Sequence, residues 1–275
     1  IHTSGSTGMP QGVRIHRHAL RSFIHWHLDF FPVLPETRSS VIFSIGFDFS
    51  VAEIFPFLLG GATLFVVPLD LEKKSAVFVE WIKKNRLNHL SLPTALVNRL
   101  LQERNLSFSW PIVLSAGGER LESVQRLSEN IDLYNHYGQT ETTVFVTQKK
   151  IIGKTISRES PSIGRPIDNT KLFILNKQKK ILPIGCCGEI VVSGESLGLG
   201  YIDPVRTDEK FVAIWLNNEK YWCYLSGDRG RWLPNGEMAY VARMDKQIKI
   251  RGYRVELGEI EETLLKHHAV AEAAV

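Results

Sequence analysis

The chain has 275 residues, 44% of them hydrophobic and 23% charged, with a net charge of +4. That length can bury one large core, or a domain and part of another, and the composition excludes a disordered or fibrous chain. A small charge with no lysine- or arginine-rich run excludes nucleic acid as the implied partner, and three cysteines, two of them adjacent (Cys186, Cys187), make no disulfide framework and fit a reducing, cytoplasmic setting.

Residues 3 to 12, Thr-Ser-Gly-Ser-Thr-Gly-Met-Pro-Gln-Gly, concentrate glycines and hydroxyls. Glycine lets successive backbone N–H groups turn toward one point and the hydroxyls add donors, which suits a polyphosphate; a surface loop has the same composition. The Walker spacing is absent. His16-Arg17-His18 and His25-Trp26-His27 follow, in a segment whose pattern from His18 to Phe31 predicts a helix. With no carboxylate or cysteine cluster beside them, they read as surface or satisfied histidines and not as a metal site.

Val41 to Ser44 reads as a strand, and Val51 to Phe55 begins a helix. Between them, Asp48 stands among aromatic residues, where a carboxylate is costly to bury without a partner. Two roles suit it: an N-cap, or the counter-charge for a substrate ammonium group. The apolar region from Val41 to Pro68 contains Asp48, Glu53 and Pro56 and reads as buried core, not a membrane span.

A regular β–α alternation comes next. Strands are predicted at Ala62 to Pro68, Leu87 to Leu92, Ile112 to Ala116 and Ile131 to Tyr134. Helices are predicted at Lys74 to Asn85 (with Val77, Phe78, Trp81 and Ile82 on one face), Thr94 to Arg104, and Leu121 to Ser128. This order implies a mainly parallel sheet flanked by helices, with ligands beyond the carboxyl ends of its strands. Gly117-Gly118-Glu119 and Asn135 to Glu141 both lie at such ends. Asn135 can read a base edge, Tyr137 offers a stacking face, Thr140 can donate to a phosphate, and Glu141 can hold a hard cation. An ordinary strand-to-helix turn with a capping threonine has the same sequence signature.

Past about residue 160 the pattern changes to short strands, at Lys171 to Leu175, Glu189 to Ser193, Tyr221 to Leu225 and Glu237 to Val241, separated by turn sequences. They predict an antiparallel β subdomain over roughly 160–243. Ser226-Gly227-Asp228 offers a carboxylate for paired ribose hydroxyls, or a plain Asx-turn. A strand at Gln247 to Arg251 and a helix at Leu257 to His267 then open a further, α+β unit. Opening inside a motif at Ile1 and stopping in a strand-like run at Val275, the chain reads as truncated at both ends.

Taken in order, these motifs resemble the adenylate-forming (AMP-binding) superfamily, above all the adenylation domains of nonribosomal peptide synthetases. The resemblance runs from Thr3 to about Glu261. It is carried by the opening loop, Phe47 to Ser50, Tyr134 to Thr143, Gly188 to Tyr201, Tyr224 to Asp228, and Ala242 to Glu261. It implies an AMP-binding large domain over 1–244 and the start of a small C-terminal domain over 245–275. By the same resemblance Thr3, Ser4, Gly5, Ser6, Thr7 and Gly8 hold the ATP phosphates. Gly117, Gly118, Asn135 and Tyr137, with Glu119, His136 and Gly138 beside them, cradle adenine. Thr140 meets the α-phosphate, Glu141 the Mg²⁺, Asp228 and Arg243 the ribose, and Asp245 is the hinge. Asp48 takes the substrate's α-ammonium group, before a side-chain pocket of Phe49, Ala52, Thr94, Leu114, Ala116, His136, Val144 and Phe145.

The implied reaction is activation of an amino acid with ATP and Mg²⁺ to an aminoacyl-AMP, for transfer to the phosphopantetheine of a carrier protein. No membrane partner is implied. Gln11 stands where the family's loop carries lysine, and Gln139 where peptide-synthetase members carry proline; glutamine there is a feature of acyl-CoA ligases. The family's catalytic lysine would fall past Val275, so residues 1–275 alone are expected to show little adenylation. The alternatives are an acyl-CoA ligase and a non-catalytic nucleotide-binding remnant.

Overall fold

The computed structural model describes all residues except 4–10, 104–105, 125–126, 153–159, 246, 251–252 and 268. The first half runs β1 (His2–Thr3), β2 (Gln11–Arg14), α1 (Arg17–Phe30), β3 (Arg38–Val41), α2 (Phe49–Leu59), β4 (Thr63–Val66), α3 (Ser75–Asn85), β5 (His89–Pro93), α4 (Thr94–Leu101), β6 (Ile112–Gly117) and β7 (Ile131–Tyr137). The second half runs β8 (Thr147–Ile151), β9 (Arg165–Pro166), β10 (Thr170–Leu175), β11 (Gly188–Gly194), β12 (Gly200–Tyr201), α5 (Pro204–Lys210), β13 (Phe211–Leu216), β14 (Glu219–Trp232) and β15 (Met238–Arg243). It closes on β16 (Gln247–Ile250), β17 (Tyr253–Glu256) and α6 (Leu257–Leu265).

Seven strands form the main sheet in the order β4-β3-β5-β6-β7-β8-β9. β3 to β7 pair in parallel, and β8 and β9 close one edge antiparallel. Because side chains alternate along a strand, the sheet buries two cores. Leu90, Leu92, Leu114, Ala116, Ile131 and Leu133 pack against α3 and α4, through Phe78, Ile82, Val97 and Leu100. Val113 and Tyr134, one residue out of phase, pack with α1 and α2 through Phe23, Trp26, Phe49 and Ala52. Each fully buried Leu, Ile or Phe contributes about 1.5–3 kcal/mol.

The second sheet is antiparallel, ordered β10-β11-β14-β13 with β15 also on β14. Its core of Val146, Leu172, Ile190, Val192 and Met238 takes in Tyr137 from the end of β7, and so joins the two sheets at the point where the parallel strands stop. β16 and β17 form a separate hairpin.

The expected fold class is present, with local differences. No helix occupies the described residues of 121–128; Leu121 and Val124 are buried there without one. Burial of Leu121 and Val124 in the α3/α4 core, and not the helical period, decides the backbone there. Val77 is exposed, while Phe78 and Ile82 carry the buried face of α3. β14 runs through Ser226-Gly227-Asp228 instead of ending before it.

Candidate active site

A cavity of about 510 Å³ opens where the carboxyl ends of β6 and β7 meet β14 and β15. Gly118, Glu119, Asn135, His136, Tyr137, Gly138, Asp228 and Arg243 all line it. That volume lies in the range of small-molecule sites.

Asp228 is the electrostatic centre of this cavity. The register between β11 and β14 shifts across Ser226 to Asp228, and Gly227 takes φ +72°. Such a bulge re-aims a strand residue. The Ser226 hydroxyl donates to the Ile190 carbonyl (2.6 Å) and accepts from the Asp228 N–H (3.0 Å), which fixes the turn of the backbone. The Asp228 carboxylate, 3% exposed, then accepts from Tyr137 Oη (2.7 Å), Gln139 Nε2 (2.5 Å) and Arg243 Nη1 (3.1 Å). This is a strand carboxylate held by three donors and not an Asx-turn. Burial and the Asp228 charge push the Tyr137 phenol well above its usual range, so it stays a donor. Burial, with Asp228 adding to it, pushes Tyr240 up to about 12. Arg243 also grips Asp245 through Nε and Nη2 (2.9 and 2.5 Å), so the predicted hinge residue is tied to the cavity wall. Asn135 donates to the Ser162 carbonyl at 3.0 Å.

Asp48 occupies the N-cap position of α2, but its side chain makes no cap bond. Thr140 Oγ1 instead donates to Asp48 Oδ2 at 2.6 Å, across 92 residues. Asp48 is 9% exposed and Thr140 8%. The structure thus decides against the N-cap role and brings this carboxylate to the turn that follows β7.

The sequence matches the AMP-binding enzyme family over residues 1–202. The chain belongs to that family. Over its whole length it is 38% identical to a component of the linear gramicidin synthase of Brevibacillus parabrevis and 39% identical to bacitracin synthase 1 of Bacillus licheniformis, and it spans 4% and 5% of those proteins. Among solved structures, the adenylation domain AlmE of Vibrio cholerae, in complex with glycyl-adenosine-5'-phosphate, superposes with a TM-score of 0.87 at 29% identity, over 100% of this chain and 53% of that one. NpsA-ThdA of Klebsiella oxytoca, an artificially fused adenylation-PCP di-domain, does so with a TM-score of 0.86 at 25% identity, over 99% and 55%.

The other predicted site residues are distributed unevenly. Thr3 pairs with Gln11, the last β1–β2 pair before the connecting residues; Ser4, Gly5, Ser6, Thr7 and Gly8 lie outside the described residues. Gly117 does not line the cavity: a Cβ there would meet the Phe49 ring at 2.4 Å. The predicted side-chain pocket is divided between the two faces of the sheet. Phe49, Ala52, Val144 and Phe145 pack on the α1/α2 face, where Phe145 stacks on His136 at 4.3 Å. Leu114 and Ala116 pack on the α3/α4 face. Thr94 is fully buried at the start of α4, donating to the Glu119 carbonyl (3.2 Å).

Glu141 departs furthest from expectation. It is fully buried, accepts from Tyr201 Oη at 2.6 Å, and does not line the cavity. A lone carboxylate is the kind of ligand Mg²⁺ takes, beside waters and phosphate oxygens. In this arrangement, however, it does not fit an ion placed in the cavity. Among the described residues, no cluster of three or more potential ligands could hold a metal, and no helix is long and apolar enough to cross a membrane.

Three residues to which the sequence reading gave no role in the site belong to its framework: Gln139 on Asp228, Tyr201 on Glu141, and Glu53. Glu53 is fully buried and accepts from the N–H groups of Ile42 (3.1 Å) and Phe43 (2.9 Å), which ties α2 to the segment leading into Asp48. Burial raises its carboxyl to about 8. The one signal for it was a glutamate inside an apolar run.

Proposed function

We propose that the chain carries the nucleotide and amino-acid sites of an amino-acid-adenylating ligase of nonribosomal peptide synthesis. A carboxylate oxygen of the amino acid attacks the α-phosphorus of ATP; the bond from that phosphorus to the β-bridging oxygen breaks, and pyrophosphate leaves an aminoacyl-AMP. The observation that carries this reading is the Asp48–Thr140 hydrogen bond. It sets a buried carboxylate, suited to an ammonium group, at the same turn whose strand walls a nucleotide-sized cavity.

In this reading adenine lies between Gly118 and Tyr137, and the ribose hydroxyls meet Asp228, oriented by Tyr137, Gln139 and Arg243. Asp48 pairs with the ammonium group, and Thr140 lies between it and the α-phosphate. The chain's residues position reactants and supply donors; no side chain has to transfer a proton. ATP arrives as its Mg²⁺ complex, and no step is assigned to Glu141. The phosphopantetheine thiol of a carrier protein then takes the acyl group. The similarity to the linear gramicidin and bacitracin synthases supports this assignment.

ATP–pyrophosphate exchange by the full-length protein, screened over amino acids, tests the reading. Amino-acid-dependent exchange that is abolished in Asp48→Ala is expected. Turnover of a fatty or aryl acid with coenzyme A instead would make the protein an acyl-CoA ligase. AMP binding without exchange for any acid would make it a non-catalytic nucleotide-binding remnant.

A further inference from the structure

Among the described residues, buried aromatic rings pack closely next to Asp48. Phe49, 4% exposed, stacks on Phe43 with ring centroids 4.5 Å apart and covers Gly117 at the end of β6. Phe145, 2% exposed, lies 5.4 Å from Phe49 and stacks on His136. Behind Phe145 stand Phe23 at 5.0 Å and Trp26 at 5.8 Å, both on α1, which back its ring. The backbone holds it from the other side. A Cβ at Gly138 would fall 2.2 Å from the Phe145 Cα, and Val144 is fixed at φ +71°, a conformation a β-branched residue rarely adopts. The cavity reaches His136 and Gly138 but is lined by none of Asp48, Phe49, Ala52 and Phe145.

We propose that the acid anchored at Asp48 is an amino acid with no side chain or a single methyl, glycine or alanine in size, because Phe49 and Phe145 fill the volume a larger side chain would need. The inference rests on the adenylation reading above. Seating an isobutyl or benzyl group would force the two rings apart against α1, and well-packed cores resist such overpacking.

The test is calorimetric binding of the non-hydrolysable glycyl, alanyl, leucyl and phenylalanyl sulfamoyl-adenosines to the full-length protein and to Phe145→Ala. The glycyl or alanyl analogue is expected to bind wild type at least tenfold more tightly than the other two, and Phe145→Ala is expected to gain at least tenfold for the leucyl analogue. Equal or tighter binding of the leucyl or phenylalanyl analogue to wild type overturns the size limit while leaving the adenylation reading intact. No binding of any analogue overturns that reading itself. A small-side-chain preference in wild type with no gain in a folded Phe145→Ala removes Phe145 as the plug. Should that variant fail to fold, the wild-type panel decides the size limit alone.

Discussion

Gln139 Nε2 lies 2.5 Å from Asp228 Oδ2 and ties the turn after β7 to the antiparallel sheet. The bond joins residues 89 positions apart and is nearly sealed from water, Gln139 being 8% exposed. A proline at this position could make no such bond. Gln139→Leu keeps much of the volume and removes the donor. A hydrogen bond to a charged group is worth about 1.5–3 kcal/mol, so AMP affinity measured by calorimetry should fall by about tenfold or more. An unchanged affinity would show that Tyr137 and Arg243 hold Asp228 without help.

Glu53 sets one side of the protein's pH dependence. Its carboxyl is raised from 4.5 to about 8 by burial. A pKa raised on folding contributes stability that is full below the unfolded value and is lost as pH rises through the folded one. Glu53→Gln cannot ionise. Its stability relative to wild type should therefore improve by about 3 kcal/mol between pH 5 and 8, read from urea unfolding at each pH. A difference that stays flat across that range would mean an ordinary carboxylate.

Buried histidines set the other side. Burial, with neighbouring histidines adding to it, lowers His27 well below 6.5 and His89 to about 3, and burial lowers His136 to about 4. A depressed pKa gives stability that is present above the unfolded value and is lost as pH falls toward the folded one. Between pH 7 and 5 each such histidine should cost about 2 kcal/mol. His89→Phe, in a site already walled by Phe31 and Phe57, should remove one such share of the acid sensitivity; an identical pH profile would contradict the assignment.

Tyr201→Phe probes the support of Glu141. The ring stays in its core with Phe211 and Tyr224, but a fully buried carboxylate loses a 2.6 Å donor. A loss of about 2–3 kcal/mol in unfolding free energy is expected; a loss below about 0.5 kcal/mol would show that the bond contributes nothing.

Much of this site was legible because its chemistry is carried by residues costly to bury. Asp48 among aromatics demanded a partner, but nothing local to it pointed to Thr140, since the contact exists only once the turn after β7 meets the start of α2. Strand periods placed β4 to β7, but the strand expected at Val41 to Ser44 lies at Arg38–Val41, and β8 and β9 were not predicted. The periods could not divide the side-chain pocket, because Leu114 and Ala116 sit on the opposite face from Phe49 and Phe145 for reasons of strand parity that only the register fixes. Ser226-Gly227-Asp228 carries turn residues and reads as a turn; pairing on both sides, with β11 and β15, keeps it in a strand and converts it to a bulge. Gln139 was visible as a departure, but its partner lay beyond the reach of any local pattern.

The Tyr137–Asp228 bond closes a loop of 91 residues, and it does so between two sheets with separate cores. Closing a loop of that length costs chain entropy before the contact repays it. A chain with both sheets formed but undocked would therefore look folded to circular dichroism while remaining blind to AMP.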